Sequence, residues 1–179
     1  ENDLHIGIGI QHAAEHDANA LRCRLHREAP GGVQDCREIL DIILVVGLNH
    51  RTSPLEVREK LSLTKAQLPQ ALESMAAYGV PGVILCTCNR SEFYTLDAHS
   101  TKPGSPNNPG AGADRVKRFL VERFGISLLD VDRYLYTYQG YECIHHLFRV
   151  ASSLDSMILG ETEILGQVRE ALVEASKAA

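Results

Sequence analysis

The alternation of apolar and polar positions becomes regular only from residue 42 onwards. The run IILVVGL, at 42–48, is continuously apolar and rich in β-branched residues, which is typical of a buried strand. GVILC, at 82–86, is a second apolar run, and EFYTLD, at 92–97, alternates as an antiparallel neighbour does. With YLYTYQ at 134–139, the pattern predicts four strands.

The segments between these strands predict helices. Ser53-Pro54 favours a helix start, with Ser53 as the N-cap and Pro54 at the first helical position, and Thr64 favours a second start. Further helices are predicted over 115–125, over about 141–154 and from about 162 to the end. The order β-α-α-β-β-α-β-α-α predicts an α+β fold: a ferredoxin-like split βαβ antiparallel sheet covered by helices and followed by a long C-terminal helix.

Domain boundaries follow from the same pattern. Residues 42–160 form the main domain, and residues 161–179 begin a linker, or spinal, helix without a C-cap, which predicts a truncated protein. Residues 1–41 lack an apolar stripe and contain the breaker Pro30-Gly31-Gly32, so we expect a poorly ordered extension. The alternative is a short amphipathic helix near 18–28 that docks on the domain.

Length and composition limit the class of protein. With 179 residues, of which 44% are hydrophobic and 23% charged, the chain can form one sizeable globular domain. The Pro-, Gly-, Ser- and Asn-rich stretch near 98–113 predicts a flexible surface loop. The formal net charge of −5 argues against a strongly basic nucleic-acid binder, although a local patch stays compatible with such a partner. Five cysteines without disulfide-framework spacing predict a reducing, cytoplasmic setting, and no apolar run is long enough to cross a bilayer.

Two cysteines one residue apart, Cys86 and Cys88, raise a question of chemistry. Cys86 continues an apolar strand and is interpreted as a buried packing residue. Cys88 precedes polar Asn89 and Arg90 at a strand-to-strand turn, where a neighbouring arginine favours the reactive thiolate. A buried thiol, a zinc ligand and a nucleophile all stay open for Cys88, and zinc is disfavoured because no second cysteine pair supplies the remaining ligands.

The later helices contain further candidates. His146 flanks the apolar face of the helix predicted over 141–154, whereas His145 faces nearer to solvent. His146 is therefore either a boundary residue or a base for Cys88, and spacing alone does not choose between them. Glu161 and Glu163 stand near a predicted helix N-terminus, where carboxylates stabilise the helix dipole without any catalytic role.

Three blocks of the sequence resemble one enzyme family in the same order. They are VGLNHRTSPLEVREKLS, CTCNRSEFY and HHLFRVASSLDSMILGETEILGQVREAL, at 46–62, 86–94 and 145–172. Together they resemble the N-terminal catalytic domain of glutamyl-tRNA reductase, from about Ile42 to the C-terminus. Residues 1–41 lie outside the resemblance, and the loop near 98–113 is longer than the family usually has.

The resemblance implies a role for particular residues. Cys88, in the Thr-Cys-Asn-Arg motif, corresponds to the family's nucleophile, and His146, which precedes Leu-x-Arg, corresponds to its activity-linked histidine. The implied substrate-binding residues are Thr87, Asn89, Arg90, Ser156, Glu161, Thr162, Glu163 and Gln167. The chain departs from the family's usual Glu-Pro-Gln by having Glu-Thr-Glu at 161–163.

The resemblance also implies a reaction. The Cys88 thiolate would attack the ester of glutamyl-tRNA to form a thioester, which NADPH reduces to glutamate-1-semialdehyde for tetrapyrrole (5-aminolevulinate) synthesis. Arg90 would bind a substrate carboxylate. In the family a separate Rossmann domain binds NADPH, so this chain has no residue assigned to the cofactor and would act only as an esterase.

The resemblance implies partners as well, and other functions stay open beside it. Glutamyl-tRNA would be the substrate, the whole protein a homodimer, and an aminomutase the recipient of the product; no metal and no membrane are implied. The alternatives are a non-catalytic α+β module that binds tRNA or a protein, and a cofactor-free cysteine esterase.

Overall fold

Four short strands form the sheet, each at a segment where the sequence predicts one. The structure, a computed structural model, describes residues 42–97, 110–157 and 163–178, all within one unit at 41–179. The strands are β1 (Ile43–Asn49), β2 (Gly82–Cys86), β3 (Arg90–Leu96) and β4 (Tyr136–Gln139). Their order is β2-β3-β1-β4 and every neighbouring pair is antiparallel. This is the order of a split βαβ sheet, so the predicted fold is confirmed.

Helices fill the connections and follow the sheet. They are α1 (Leu55–Lys60), α2 (Leu68–Ala77), α3 (Ala111–Phe124), α4 (Leu128–Tyr134), α5 (Tyr141–Ala151) and α6 (Glu163–Ala178). α6 is the predicted long C-terminal helix. Within the described part of the chain, no helix is long and apolar enough to cross a membrane. The expected extension at 1–41, its alternative helix and residues 98–109 of the loop predicted near 98–113 lie outside the described residues. The prediction was wrong for residues 111–113, which form the first turn of α3, where Gly112 and Ala113 are buried.

One helix was missed by the sequence analysis. α4 lies in a segment for which neither a helix nor a strand was predicted. Its last residue, Tyr134, was predicted to begin the following strand. Val131 is the buried residue of this helix, whereas Leu128 and Leu129 are exposed. A helix that buries so little has no apolar stripe to recognise. Its start is nevertheless capped, because the Ser127 hydroxyl accepts from the Asp130 N–H at 3.0 Å.

The two predicted helix starts were also wrong in detail. Ser53 does not cap α1: Pro54 occupies that position, and the Ser53 hydroxyl instead donates to the Asn49 carbonyl at 3.1 Å. Thr64 lies in a turn before α2, where its N–H donates to the Gln67 side chain at 3.0 Å. A hydroxyl side chain can hydrogen-bond to the backbone either at a helix start or in the turn before it. Neither Ser53 nor Thr64 caps a helix here.

Both faces of the sheet are buried. Successive side chains of a strand point to opposite sides. Leu44, Val46 and Leu48 of β1 therefore join one core with residues of α1 to α4, while Val45 joins another with residues of α5 and α6. Burial on both faces explains why β1 is continuously apolar instead of alternating.

Alanine is expected to have opposite effects at two glycines, Gly125 and Gly166. Gly125 follows α3 with a φ of 65°, in the left-handed region that favours glycine. Gly166 is exposed on α6, and a Cβ there would meet nothing within 4 Å. Gly125→Ala should lower the free energy of unfolding by about 1 kcal/mol, and Gly166→Ala should raise it by up to about 1 kcal/mol. Urea unfolding measures both; a loss of stability in Gly166→Ala would contradict the open surroundings of that position.

Candidate active site

Cys88 lies in the tight turn between β2 and β3, and its side chain is exposed. Hydrogen bonds fix the backbone of this turn. The Thr87 N–H donates to the Arg90 carbonyl at 2.9 Å, and the Thr87 hydroxyl accepts from the N–H groups of Asn89 and Arg90, both at 3.2 Å. The Asn89 carbonyl accepts from the His50 N–H at 2.9 Å. The turn therefore holds the thiol at the surface on a rigid support.

Cys86 has the packing environment that its sequence position predicts. It is half-buried and packs against the core formed by side chains of β1 and of α1 to α4. Its sulfur accepts a hydrogen bond from the Leu63 N–H at 3.1 Å. Among the described residues, no group of three or more His, Cys, Asp or Glu side chains is arranged to hold a metal ion. The two neighbouring cysteines thus differ in exposure and in surroundings.

A small cleft of about 40 Å³ opens beside Cys88. Three segments line it: the β2–β3 turn, the chain after α5 and the start of α6. The lining residues are Thr87, Cys88, Asn89, Arg90, Ser156, Glu163, Ile164 and Gln167. All of them except Ile164 are residues that the sequence analysis named, so the structure brings these candidates together. Glu161 and Thr162 lie outside the described residues.

A second recess of about 40 Å³ lies against Cys88 and includes residues of α1. Arg58 and Ser62 line it, and Thr87 and Arg90 line both recesses. Arg58 donates from Nη1 to the Ser53 carbonyl at 3.1 Å. Cys88 is therefore flanked by two polar recesses, one toward α6 and one toward α1.

The chain turns back toward β3 directly after α5. Ser153 has a φ of 60°, and the N–H groups of Ser153 and Leu154 donate to the carbonyls three and five residues earlier, both at 2.9 Å. This is the hydrogen-bond pattern of a Schellman motif, with serine at the position where glycine is usual. The reversal delivers Asp155 and Ser156, both buried, to the site.

His146 lies in a different and larger cleft, of about 460 Å³. Tyrosine, histidine and arginine side chains dominate its lining, among them Arg51, Tyr136, Tyr138, His145, His146 and Arg149. Cys88 does not line this cleft, so the structure does not bring His146 and Cys88 into one recess. Arg90 and Asp155 connect the two, because Arg90 lines the cleft of Cys88 and Asp155 lines that of His146.

The carboxylate of Glu92 is the centre of a buried hydrogen-bond network. Glu92 is 0% exposed and accepts from Arg90 Nη1 and His146 Nε2, each at 2.8 Å. The hydroxyls of Tyr94 and Tyr136 also donate to it, at 2.7 and 2.5 Å. Burial raises the pKa of Glu92, but the hydrogen bond from His146 and the charge of Arg90 outweigh burial, so its pKa falls to about 2. Glu92 is therefore a buried anion at neutral pH.

This anion acts on the titratable groups around it. Burial and the Glu92 carboxylate raise the pKa of Tyr94 and of Tyr136 far above the usual range, so both stay protonated donors. Burial, and to a smaller extent the negative charge of Glu92, raises the pKa of the Cys143 thiol to about 12. Cys143 is thus a neutral core thiol, unlike the exposed Cys88.

Arg90 is 2% exposed and is held from two sides. Nη1 pairs with Glu92 at 2.8 Å, and Nη2 lies 3.4 Å from the Asp155 carboxylate and also donates to the Asp155 carbonyl. Asp155 pairs in turn with Arg51 at 3.0 Å. The family resemblance implies that Arg90 binds a substrate carboxylate. In this structure both of its terminal nitrogens are already paired with protein oxygens.

Glu92, Asp155 and Tyr136 belong to the site although the sequence pattern did not single them out. A signal for Glu92 was present, because Arg90, Glu92 and Tyr94 occupy alternate positions of β3 and thus share one face of a strand that is buried on both faces. A carboxylate at such a position needs buried donors. Asp155 and Tyr136 carry no comparable local signal, since their partners lie far away in the sequence.

Glu92 makes the stability of the domain depend on pH in acid. The pKa of Glu92 is about 2 in the folded state, against an ordinary value of 4.5. Its stabilisation, on the order of 3 kcal/mol, is fully present above pH 4.5 and is lost as the pH falls toward 2. The difference in unfolding free energy between the wild type and Glu92→Gln should therefore shrink by about 2 kcal/mol between pH 6 and pH 3. Urea unfolding of both proteins at the two pH values tests this; a difference that stays constant would contradict the low pKa.

The fold and the site together define a class of protein: a split-βαβ domain, with helices on both faces, that presents an exposed cysteine to a polar cleft. Comparison with known proteins gives the family. The model of the family "Glutamyl-tRNAGlu reductase, N-terminal domain" matches residues 46–179. The chain belongs to this family.

Relatives of known name agree with this assignment. The glutamyl-tRNA reductase of Carboxydothermus hydrogenoformans is 50% identical over 138 residues, which cover 75% of this chain and 28% of that protein. The glutamyl-tRNA reductase of Heliobacterium mobile is 50% identical over 131 residues, 72% of this chain and 28% of that protein. The solved structure of glutamyl-tRNA reductase from Methanopyrus kandleri matches with a TM-score of 0.51 at 29% identity, over 77% of this chain and 29% of that one. The chain thus spans little more than a quarter of the length of these relatives.

Proposed function

We propose that this chain is the acyl-accepting domain of a glutamyl-tRNA reductase, in which Cys88 takes the glutamyl group from glutamyl-tRNA. The observation that carries the proposal is the exposed Cys88 at a cleft lined by Thr87, Asn89, Ser156 and Gln167. These side chains come from separate segments, and packing alone gives no reason for polar groups to converge around a thiol.

The first chemical step is acyl transfer. The Cys88 thiolate attacks the carbonyl carbon of the glutamyl ester; the C–S bond forms, the ester C–O bond breaks, and the tRNA 3′ oxygen leaves and takes a proton. At about 40 Å³ each, the two recesses beside Cys88 are too small to enclose a whole group, so the glutamyl group would lie over one of them and the terminal ribose of the tRNA over the other. We assign the recess toward α6 to the glutamyl group and the recess lined by Arg58 and Glu59 to the tRNA end, whose phosphate Arg58 attracts.

The α6 recess has groups for each part of a glutamyl substrate. Glu163 is an acceptor for the α-ammonium, and Asn89, Ser156 and Gln167 are neutral hydrogen-bonding partners. Arg90 attracts the side-chain carboxylate, which can replace Asp155, whose carboxylate lies 3.4 Å from the guanidinium. Glu161 and Thr162 belong to the same proposal through the family motif alone.

Reduction by NADPH belongs to the whole protein. NADPH supplies the hydride that turns a thioester into glutamate-1-semialdehyde, the product that tetrapyrrole synthesis uses. The connection from β1 to α1 does not fit this cofactor, because it has Asn-His-Arg-Thr-Ser-Pro instead of the glycines that let a backbone approach a pyrophosphate. We assign no residue of this chain to NADPH, and we place its site, a homodimer contact and any transfer of product to an aminomutase elsewhere in the full-length protein. The free thiols agree with a cytoplasmic setting.

The experiment is a trapping assay with glutamyl-tRNA that carries labelled glutamate. We expect label to become attached to the protein and to be released by hydroxylamine, as a thioester is. An aminoacyl-tRNA with a neutral side chain, such as glutaminyl-tRNA, serves as the specificity control and should label the protein at least tenfold more slowly, because Arg90 then meets no carboxylate. Binding of glutamyl-tRNA without any transfer of label would favour a non-catalytic tRNA-binding module instead.

A further inference from the structure

Glu92 lines neither the two recesses of Cys88 nor the cleft of His146, yet it contacts two residues that line them. It is fully buried, and a single carboxylate oxygen, Oε1, accepts from both Arg90 Nη1 and His146 Nε2, each at 2.8 Å. Arg90 lines the clefts of Cys88, and His146 lines the larger cleft. One buried oxygen thus links the two sites.

We propose that Glu92 is a positioning residue, which holds the guanidinium of Arg90, a residue that lines both recesses of Cys88, and fixes which ring nitrogen of His146 carries a proton. The part of this inference that concerns glutamyl transfer rests on the proposed function; the part that concerns the His146 ring does not.

The state of the His146 ring follows from hydrogen-bond chemistry. An ionised carboxylate has no proton to donate, so the contact between Glu92 and Nε2 requires a proton on Nε2. Nε2 therefore carries a proton whether the ring is neutral or charged, and Nδ1 is the nitrogen that gains or loses one. Tyr136 and Tyr138 hold the plane of the ring, with centroids 5.3 and 4.8 Å from that of His146. Any proton exchange by His146 thus takes place at Nδ1, as in other sites where a buried carboxylate selects the histidine tautomer.

The effect on Arg90 follows from the distances to its two acidic partners. The Glu92 contact, at 2.8 Å, is short, whereas both terminal nitrogens lie 3.4 Å from the Asp155 carboxylate. A substrate carboxylate that displaces the Asp155 carboxylate would leave the guanidinium anchored by Glu92 at Nη1 and by the Asp155 carbonyl at Nη2. Glu92 can therefore keep Arg90 in place throughout substrate binding and release.

The first test observes the ring itself. Long-range nitrogen–proton correlation NMR of the wild-type chain, with His146 assigned by comparison with His146→Gln, reports which ring nitrogen is protonated near neutral pH. We expect a protonated Nε2. An unprotonated Nε2 beside a protonated Nδ1 would overturn the proposal.

The second test measures transfer of the glutamyl group to Cys88 in a single turnover. Glu92→Gln keeps the volume and an acceptor oxygen but removes the charge, and we expect its rate to fall roughly 10²-fold through misplacement of Arg90 and His146. Tyr94→Phe is the matched control: it removes one donor to the other oxygen, Oε2, and should stay within about threefold of the wild type. Alkylation of Cys88 by iodoacetamide should fall by less than about tenfold in both variants, because Glu92 does not contact the thiol and a displaced Arg90 weakens only the positive charge that favours the thiolate.

The outcomes separate the two proposals. A Glu92→Gln protein that transfers glutamate at the wild-type rate, or that loses alkylation as strongly as transfer, overturns the positioning role. If Glu92→Gln does not fold, the NMR result on the wild type decides. If the wild type forms no glutamyl adduct, the proposed function fails, while the NMR result still judges the role of Glu92 on its own.

Discussion

Cys88→Ser is expected to abolish the covalent glutamyl adduct, with at least a 10³-fold loss of transfer from glutamyl-tRNA. A serine hydroxyl at the same exposed turn is far less ionised than a thiol, and among the described residues no histidine lines the recesses of Cys88 in the way that His146 lines its own cleft. The measurement is protein-bound labelled glutamate that hydroxylamine releases. Because Cys88 is exposed, the variant should unfold at the same urea concentration as the wild type.

Cys86→Ser is the matched control for this prediction. Its sulfur accepts from the Leu63 N–H and packs against the core, so the substitution should lower the free energy of unfolding by about 1 kcal/mol. Adduct formation should continue in the fraction that is folded. An adduct that survives in Cys88→Ser and disappears in Cys86→Ser would reverse the assignment of the two cysteines.

Arg90→Met is expected to be the most destabilising single change at the site. Arg90 is 2% exposed and is the cation shared by Glu92 and Asp155, so its removal leaves two buried carboxylates without their common partner. Breaking a buried ion pair from one side costs about 3–5 kcal/mol. The measurement is the free energy of unfolding in urea at pH 7.

Arg51→Met provides the comparison for this change. Arg51 pairs with the same Asp155 at 3.0 Å, but its side chain is 53% exposed, and ion pairs at the surface contribute less than about 1 kcal/mol. The two variants thus remove a cation from the same carboxylate in different environments. Equal losses in Arg90→Met and Arg51→Met would mean that burial does not set the strength of this network.

The sequence determined the elements that depend on local pattern. The strands were predicted close to their observed positions because an apolar run that is buried on both faces is visible without knowledge of its partners. The contrast between Cys86 and Cys88 was also local, since one continues an apolar strand and the other begins a polar turn. The prediction missed α4 because this helix buries too little apolar surface to leave a stripe in the sequence. It misplaced the cap of α1 because the Ser53 hydroxyl can bond either to a helix start or to a preceding carbonyl.

The tertiary structure alone decided how the site is connected. Glu92 and His146 are 54 positions apart, and Arg90 and Asp155 are 65 apart, yet each pair makes a buried hydrogen bond. The periodicity of a strand or helix indicates on which face a side chain lies. It carries no information about which distant residue contacts that side chain. For that reason the sequence could name Cys88, Arg90 and His146, and only the packing of α5 against the sheet showed that Glu92 joins two of them and that His146 lies in a separate cleft.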